Sequence, residues 1–128
     1  MCLTILMSGL TLFAANPFTV DVPLAADGIQ RASIEMDSYS FSPNHLVVRA
    51  GKPVELTVKS VTILVPHNFV IDDPRSGLTM REEIPAGESV IVKFTPAVAG
   101  TFAIYCDKKL LFFKSHREKG MEGILEVR

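Results

Sequence analysis

Three side chains near the C-terminus stand out for their chemistry: the thiol of Cys106, the imidazole of His116 and the thioether of Met121. Nine residues separate the first two and four separate the last two. A thiolate, an imidazole and a thioether form a soft donor set, and soft donors select copper over the hard cations that prefer oxygen. Each residue also has an ordinary structural use, since free cysteine packs as a small hydrophobe and methionine fills core gaps. The grouping in one short segment is what favours a metal.

The elements that must position these groups read as short strands. Val54, Leu56 and Val58 alternate with Glu55, Thr57 and Lys59, the two-residue period of a strand with one buried face. Val90, Val92 and Phe94 repeat the pattern, as do Phe102, Ile104 and Cys106, so the cysteine points inward at a strand's end. Ile34 to Met36, Phe41, His45 to Arg49, Leu64 to Ile71, Leu78 to Ile84 and Ile124 to Val127 supply the other candidates. Pro, Gly, Asn and Asp punctuate the runs, as at Ser42-Pro43-Asn44 and Pro85-Ala86-Gly87. About eight short strands so divided indicate a sandwich or barrel. Alternation stops at Asp107 to Lys119, where Leu, Phe, Lys, Arg and Glu occur without Gly or Pro. That composition predicts a short helix, with Asp107 as its N-cap and Gly120 as its stop.

A chain of 128 residues suits one domain with one core. The net charge of -1 gives no reason to expect nucleic-acid binding. Only Cys2 and Cys106 are available for a disulfide, and Cys2 lies in the apolar leader, so none is expected. Residues 1–15 are apolar and uncharged and read as a signal peptide or anchor. Residues 16–31, with Pro17, Pro23 and Gly28, read as a linker, which leaves 32–128 as the folded domain. Phosphate-binding glycine loops, a Ser/His/Asp order and paired carboxylates are all missing, so no enzyme activity is expected.

Phe41-Ser42-Pro43 leading to Leu46-Val47-Val48-Arg49-Ala50-Gly51, then Pro66-His67-Asn68-Phe69, Gly100 to Cys106, and His116 with Gly120-Met121 together resemble a cupredoxin. The resemblance covers about Tyr39 to Arg128. It implies an all-β Greek-key β-sandwich holding one copper ion, Cu(I) or Cu(II), through His67, Cys106 and His116, with Met121 as a weak axial ligand. It also implies that Asn68 braces Cys106 and Asp107, a role in keeping with the rule that outer partners orient metal ligands. Zinc suits the same donors. His45 has no counterpart among the ligands and reads as a surface or edge residue.

The interval from Cys106 to His116 is longer than in familiar blue copper loops. A helix from Lys108 to Lys119 advances only about 18 Å and can be folded back at either end, which returns His116 to the metal. Displacement of His116 by Glu118 or water is the other arrangement a long loop allows. Residues 107–119 carry five basic and two acidic side chains, net +3, a local asymmetry that steers encounter with an acidic partner. The function so implied is an exported, periplasmic or otherwise extracytoplasmic, monomeric carrier of single electrons. Its partner is a redox protein such as a cytochrome or oxidase, docking on loop 108–119, and any membrane contact runs through the N-terminal anchor. The alternatives are a copper sequestration or delivery module and a non-redox interaction domain.

Overall fold

Ten strands form two packed sheets in the computed structural model, which describes residues 18–128. The larger sheet is ordered β1 (Thr19–Asp21), β4 (His45–Val48), β10 (Glu122–Val127), β9 (Gly100–Tyr105), β6 (His67–Asp73) and β7 (Leu78–Ile84). The smaller is ordered β3 (Ser40–Ser42), β2 (Gln30–Asp37), β5 (Val54–Ser60) and β8 (Ser89–Phe94). β4 runs parallel to both β1 and β10, and β2 runs parallel to β5, while the other pairs are antiparallel. The expected all-β sandwich is therefore present.

The strand alternation places the core as predicted. Val54, Leu56 and Val58 of β5 are fully buried and face Phe69, Ile71, Leu46 and Leu125 of the opposite sheet within one apolar cluster. Met36 lies in that cluster, and Met80 packs against its edge. β6 is buried from His67 to Ile71 without alternation. Its inner positions face the core, and Asn68 on the other face lies under the segment that follows β9. Gly123 lets β10 approach the turn before β4: a Cβ there would stand 2.7 Å from the Asn44 carbonyl oxygen.

Three local expectations differ from the structure. The short helix between Cys106 and His116 does not form, and no α-helix occurs among the described residues. Asp107 is not an N-cap, because Asn68 and Arg81 occupy its carboxylate. The His116 N–H instead donates to the Lys108 carbonyl at 2.8 Å, which closes residues 108–116 into a loop and prevents a continuous helix. A single helical turn follows. In it Ser115 Oγ accepts from the Glu118 N–H and Glu118 Oε1 accepts from the Ser115 N–H, a reciprocal cap. The predicted stop is in place, with Gly120 at φ +99. β6 begins at His67 rather than Leu64, since Ile63 and Leu64 face solvent. Within the segment read as a linker, Thr19–Asp21 pairs with β4. The leader at residues 1–15 lies outside the described residues.

Candidate metal centre

The site lies at one end of the sandwich, where β6 begins and β9 ends. His67 opens β6, Cys106 directly follows β9, and the closed loop and single turn carry His116 back onto both. Cys106 Sγ lies 3.8 Å from His67 Nδ1 and 3.5 Å from His116 Nδ1, and the two Nδ1 atoms are 3.2 Å apart. The circle through these atoms has a radius of about 2 Å, comparable with zinc–imidazole bonds of ~2.0–2.1 Å and a little under the zinc–thiolate length of ~2.3 Å. Two imidazole nitrogens and one sulfur are therefore spaced around a point at about bonding distance from each.

All three residues are buried, and they form a His67–Cys106–His116 group able to hold a metal. Met121 is also fully buried. Its carbonyl accepts from the Cys106 N–H at 3.2 Å and its N–H donates to the His116 carbonyl at 3.0 Å, so its main chain bridges the two ends of the loop.

The environment keeps the imidazoles neutral. Burial, followed by the adjacent His116, holds His67 down at about 4. Burial also lowers His116, helped by the charges of Lys119 and Lys108. Neutral imidazole is the form that binds metal. Burial pushes the Cys106 thiol up, opposed by the backbone N–H groups of Asn68 and Lys108. The Asn68 N–H reaches the sulfur at 3.3 Å. A metal cation would favour the thiolate, which burial otherwise disfavours.

Asn68 and Asp107 bond to each other beside His67 and Cys106. The Asn68 amide donates to Asp107 Oδ1 at 2.8 Å and accepts from the Asp107 N–H at 3.0 Å. Arg81 of β7 donates to both Asp107 oxygens at 2.8 and 2.9 Å, and this guanidinium, followed by the Asn68 amide, lowers the carboxyl to about 2. Neither Arg81 nor Tyr39 was foreseen. The Tyr39 ring stands 4.9 Å from that of His116, while Lys119 donates to its hydroxyl at 3.2 Å. No local pattern marks either residue, because β6–β7 register and the β2–β3 turn are what bring them here. His45 lies away from the group and pairs with Glu126 at 3.3 Å. Glu118 is exposed and turned to Ser115, so it does not displace His116.

A cavity of about 330 Å³ opens beside His116, lined among others by Tyr39, Leu64, Pro66, Lys108, Phe113 and Lys119. His116 is the part of the group nearest solvent, at 7% exposure against 0% for His67 and Cys106.

A family model described as a cupredoxin-like domain matches residues 3–121. No curated protein matches the chain by sequence. Among solved structures, the metal-binding domain of the Streptococcus pneumoniae D39 Cu(I)-exporting P-type ATPase is 22% identical, with 88% of this chain and 98% of that one covered at a TM-score of 0.63. Auracyanin A, a blue copper protein from Chloroflexus aurantiacus, is 20% identical over 77% of this chain and 99% of its own, with a TM-score of 0.58. Plastocyanin from Dryopteris crassirhizoma is 23% identical over 76% and 100%, at 0.54. These likenesses establish the fold. The buried donors fit copper, which His67, Cys106 and His116 can hold as a single ion. With its sandwich, its converging donors and a family match across most of its length, the chain belongs to the cupredoxin-like domain family.

Proposed function

We propose that this domain is an extracytoplasmic copper protein that carries single electrons between redox proteins without transforming a substrate. The observation that carries the proposal is the convergence of His67 Nδ1, Cys106 Sγ and His116 Nδ1 inside a rigid sandwich end. In this reading those atoms would hold the ion, and the buried Met121 thioether would be a further, weaker donor. Copper so bound supplies reversible exchange of one electron between Cu(I) and Cu(II). The chain supplies stiffness: strand-borne His67, the Asn68–Asp107 clasp and the closed 108–116 loop restrict how far the donors shift with oxidation state. The Asn68 N–H stabilises negative charge on sulfur. His116, beside the cavity, is the edge through which a partner's redox group couples. A periplasmic location accords with the uncharged apolar leader.

The test is titration with Cu(II) while recording the visible spectrum. An intense thiolate-to-copper band, saturating at one ion per chain and lost in Cys106→Ala, is expected, with strong perturbation in His116→Ala. No copper uptake at neutral pH overturns the proposal.

A second reading is copper sequestration or delivery, favoured by the likeness to the ATPase's metal-binding domain, which was solved with Cu(I). A reversible midpoint potential with rapid exchange to a cytochrome supports electron transfer. Binding restricted to Cu(I) supports handling.

A further inference from the structure

We propose that the metal-site end of the sandwich seats on an anionic lipid bilayer, with the tip of loop 110–113 inserted among the lipids. The inference goes beyond the copper reading and does not depend on it.

Leu110, Leu111, Phe112 and Phe113 are four consecutive apolar residues, all exposed, with Phe112 at 100%. Exposed apolar runs of this length are avoided on a folded surface unless they have a use. A hydrogen bond from the Phe113 N–H to the Leu110 carbonyl at 3.0 Å makes the four a tight turn, which puts Leu111 and Phe112 at its tip. Leu111 has φ +48, a left-handed backbone that favours Gly or Asn. A leucine held there, facing solvent, does nothing for the fold. Ile63 and Leu64 extend the apolar surface from the β5–β6 connection, and Leu64 lines the cavity with Leu110 and Phe113.

Charge selects the occupant. Lys109 and Lys114 bracket the tip directly, both exposed and outnumbering the one nearby carboxylate, Glu118, whose charge both feel. The neighbouring basic groups are neutralised or engaged: Arg81 on Asp107, Lys108 on Glu83 and Arg117 on Glu122. Lys119 rests on Tyr39. Protein interfaces are depleted in lysine. Segments that enter the lipid interface instead pair Leu and Phe with Lys and Arg, and each lysine near an anionic surface adds attraction.

The path of the chain agrees. Thr19 registers with His45, which registers with Ile124, three residues beyond Met121. The described chain therefore begins at the same end of the large sheet as the loop, with Phe18 exposed there. The seventeen residues before it carry no charged side chain and are rich in Leu, Ile, Met and Phe. An apolar N-terminal segment and the apolar tip can thus meet one bilayer together, which would bring His116 close to redox groups of proteins lying in that membrane.

The chain contains no tryptophan, so Phe112→Trp in the full-length protein places a single reporter at the tip. Its substitution at a fully exposed site leaves the core alone. On vesicles of equal parts phosphatidylcholine and phosphatidylglycerol, the emission is expected to move to shorter wavelength and to be quenched by acyl-chain bromine. Replacing Lys109 and Lys114 by Gln should weaken that response by about thirtyfold in affinity. An unmoved emission on vesicles that retain the protein means the leader alone binds, and overturns the proposal. So does an equal response to pure phosphatidylcholine, or silence on vesicles with a shift on adding an acidic redox protein. The emission is read before any copper is added, which keeps its outcome separate from the copper titration.

Discussion

The side chain of Asn68 and the backbone and carboxylate of Asp107 form a reciprocal pair of hydrogen bonds, 2.8 Å in one direction and 3.0 Å in the other. Because Asn68 follows His67 and Asp107 follows Cys106, the pair ties the start of β6 to the end of β9 beside both donors. The strand ladder does little of this work itself, since β6 and β9 register only at Val70 and Tyr105. The clasp joins the Asn68 N–H contact to Sγ in setting the sulfur against the imidazole.

Asn68→Ala should therefore lower stability by about 2 kcal/mol, the cost of one lost bond plus an unpaired, part-buried N–H at Asp107. Urea unfolding of the metal-free protein measures it. A change under ~0.5 kcal/mol would show that the loop is held by other contacts.

Acid should weaken the metal-free fold in a defined window. His67 is depressed to about 4 in the folded chain from 6.5, so the folded state binds fewer protons than the unfolded. Stability is fully present above 6.5 and falls as pH drops toward 4, by about 3 kcal/mol from this residue. His116 is lowered as well and adds in the same sense. Asp107, depressed from 3.8 to about 2, extends the decline below that, by an amount reduced by its solvent exposure. Urea midpoints across pH 7 to 4 should slope less in His67→Gln than in the parent chain.

Met121 fills the core, and substitutions test whether it has a second use at the site. Met121→Ala removes a fully buried side chain and should cost about 2–5 kcal/mol. Met121→Leu conserves volume and should cost under ~1.5 kcal/mol. If the thioether is also an axial donor, the leucine variant keeps copper uptake and raises the midpoint potential, read by redox titration. An unchanged potential confines Met121 to packing.

Gly123→Ala tests the approach of β10 to β4. The added Cβ would stand 2.7 Å from the Asn44 carbonyl oxygen, whose partner is the Ile124 N–H. The backbone must move, at about 1–3 kcal/mol, which thermal unfolding will show.

Much of this arrangement was legible in the sequence because strand periodicity is a local property. Val54, Leu56 and Val58 declared their buried face, and Phe102 and Ile104 carried the count inward to Cys106. β1 escaped notice because three residues between prolines hold too little pattern to read. The segment from Lys108 to Lys119 has helical composition, yet the His116–Lys108 bond and the Arg81–Asp107 pair override it. Propensity is a weak prior against closure of a loop on a buried site. Arg81 was invisible for a related reason: only the register of β6 against β7, set by tertiary packing, aligns it with Asp107.

The sheet borders have a consequence for how the protein meets its own kind. β1 and β3, at one border of each sheet, are three residues long, and β7 presents exposed Arg81, Glu82 and Glu83 along another. Short or charged borders offer a passing strand little to pair with. Three of the four borders are thereby guarded against adding to a neighbour in a growing ribbon, which leaves β8, six residues long with Ile91 exposed, as the one where such addition could start.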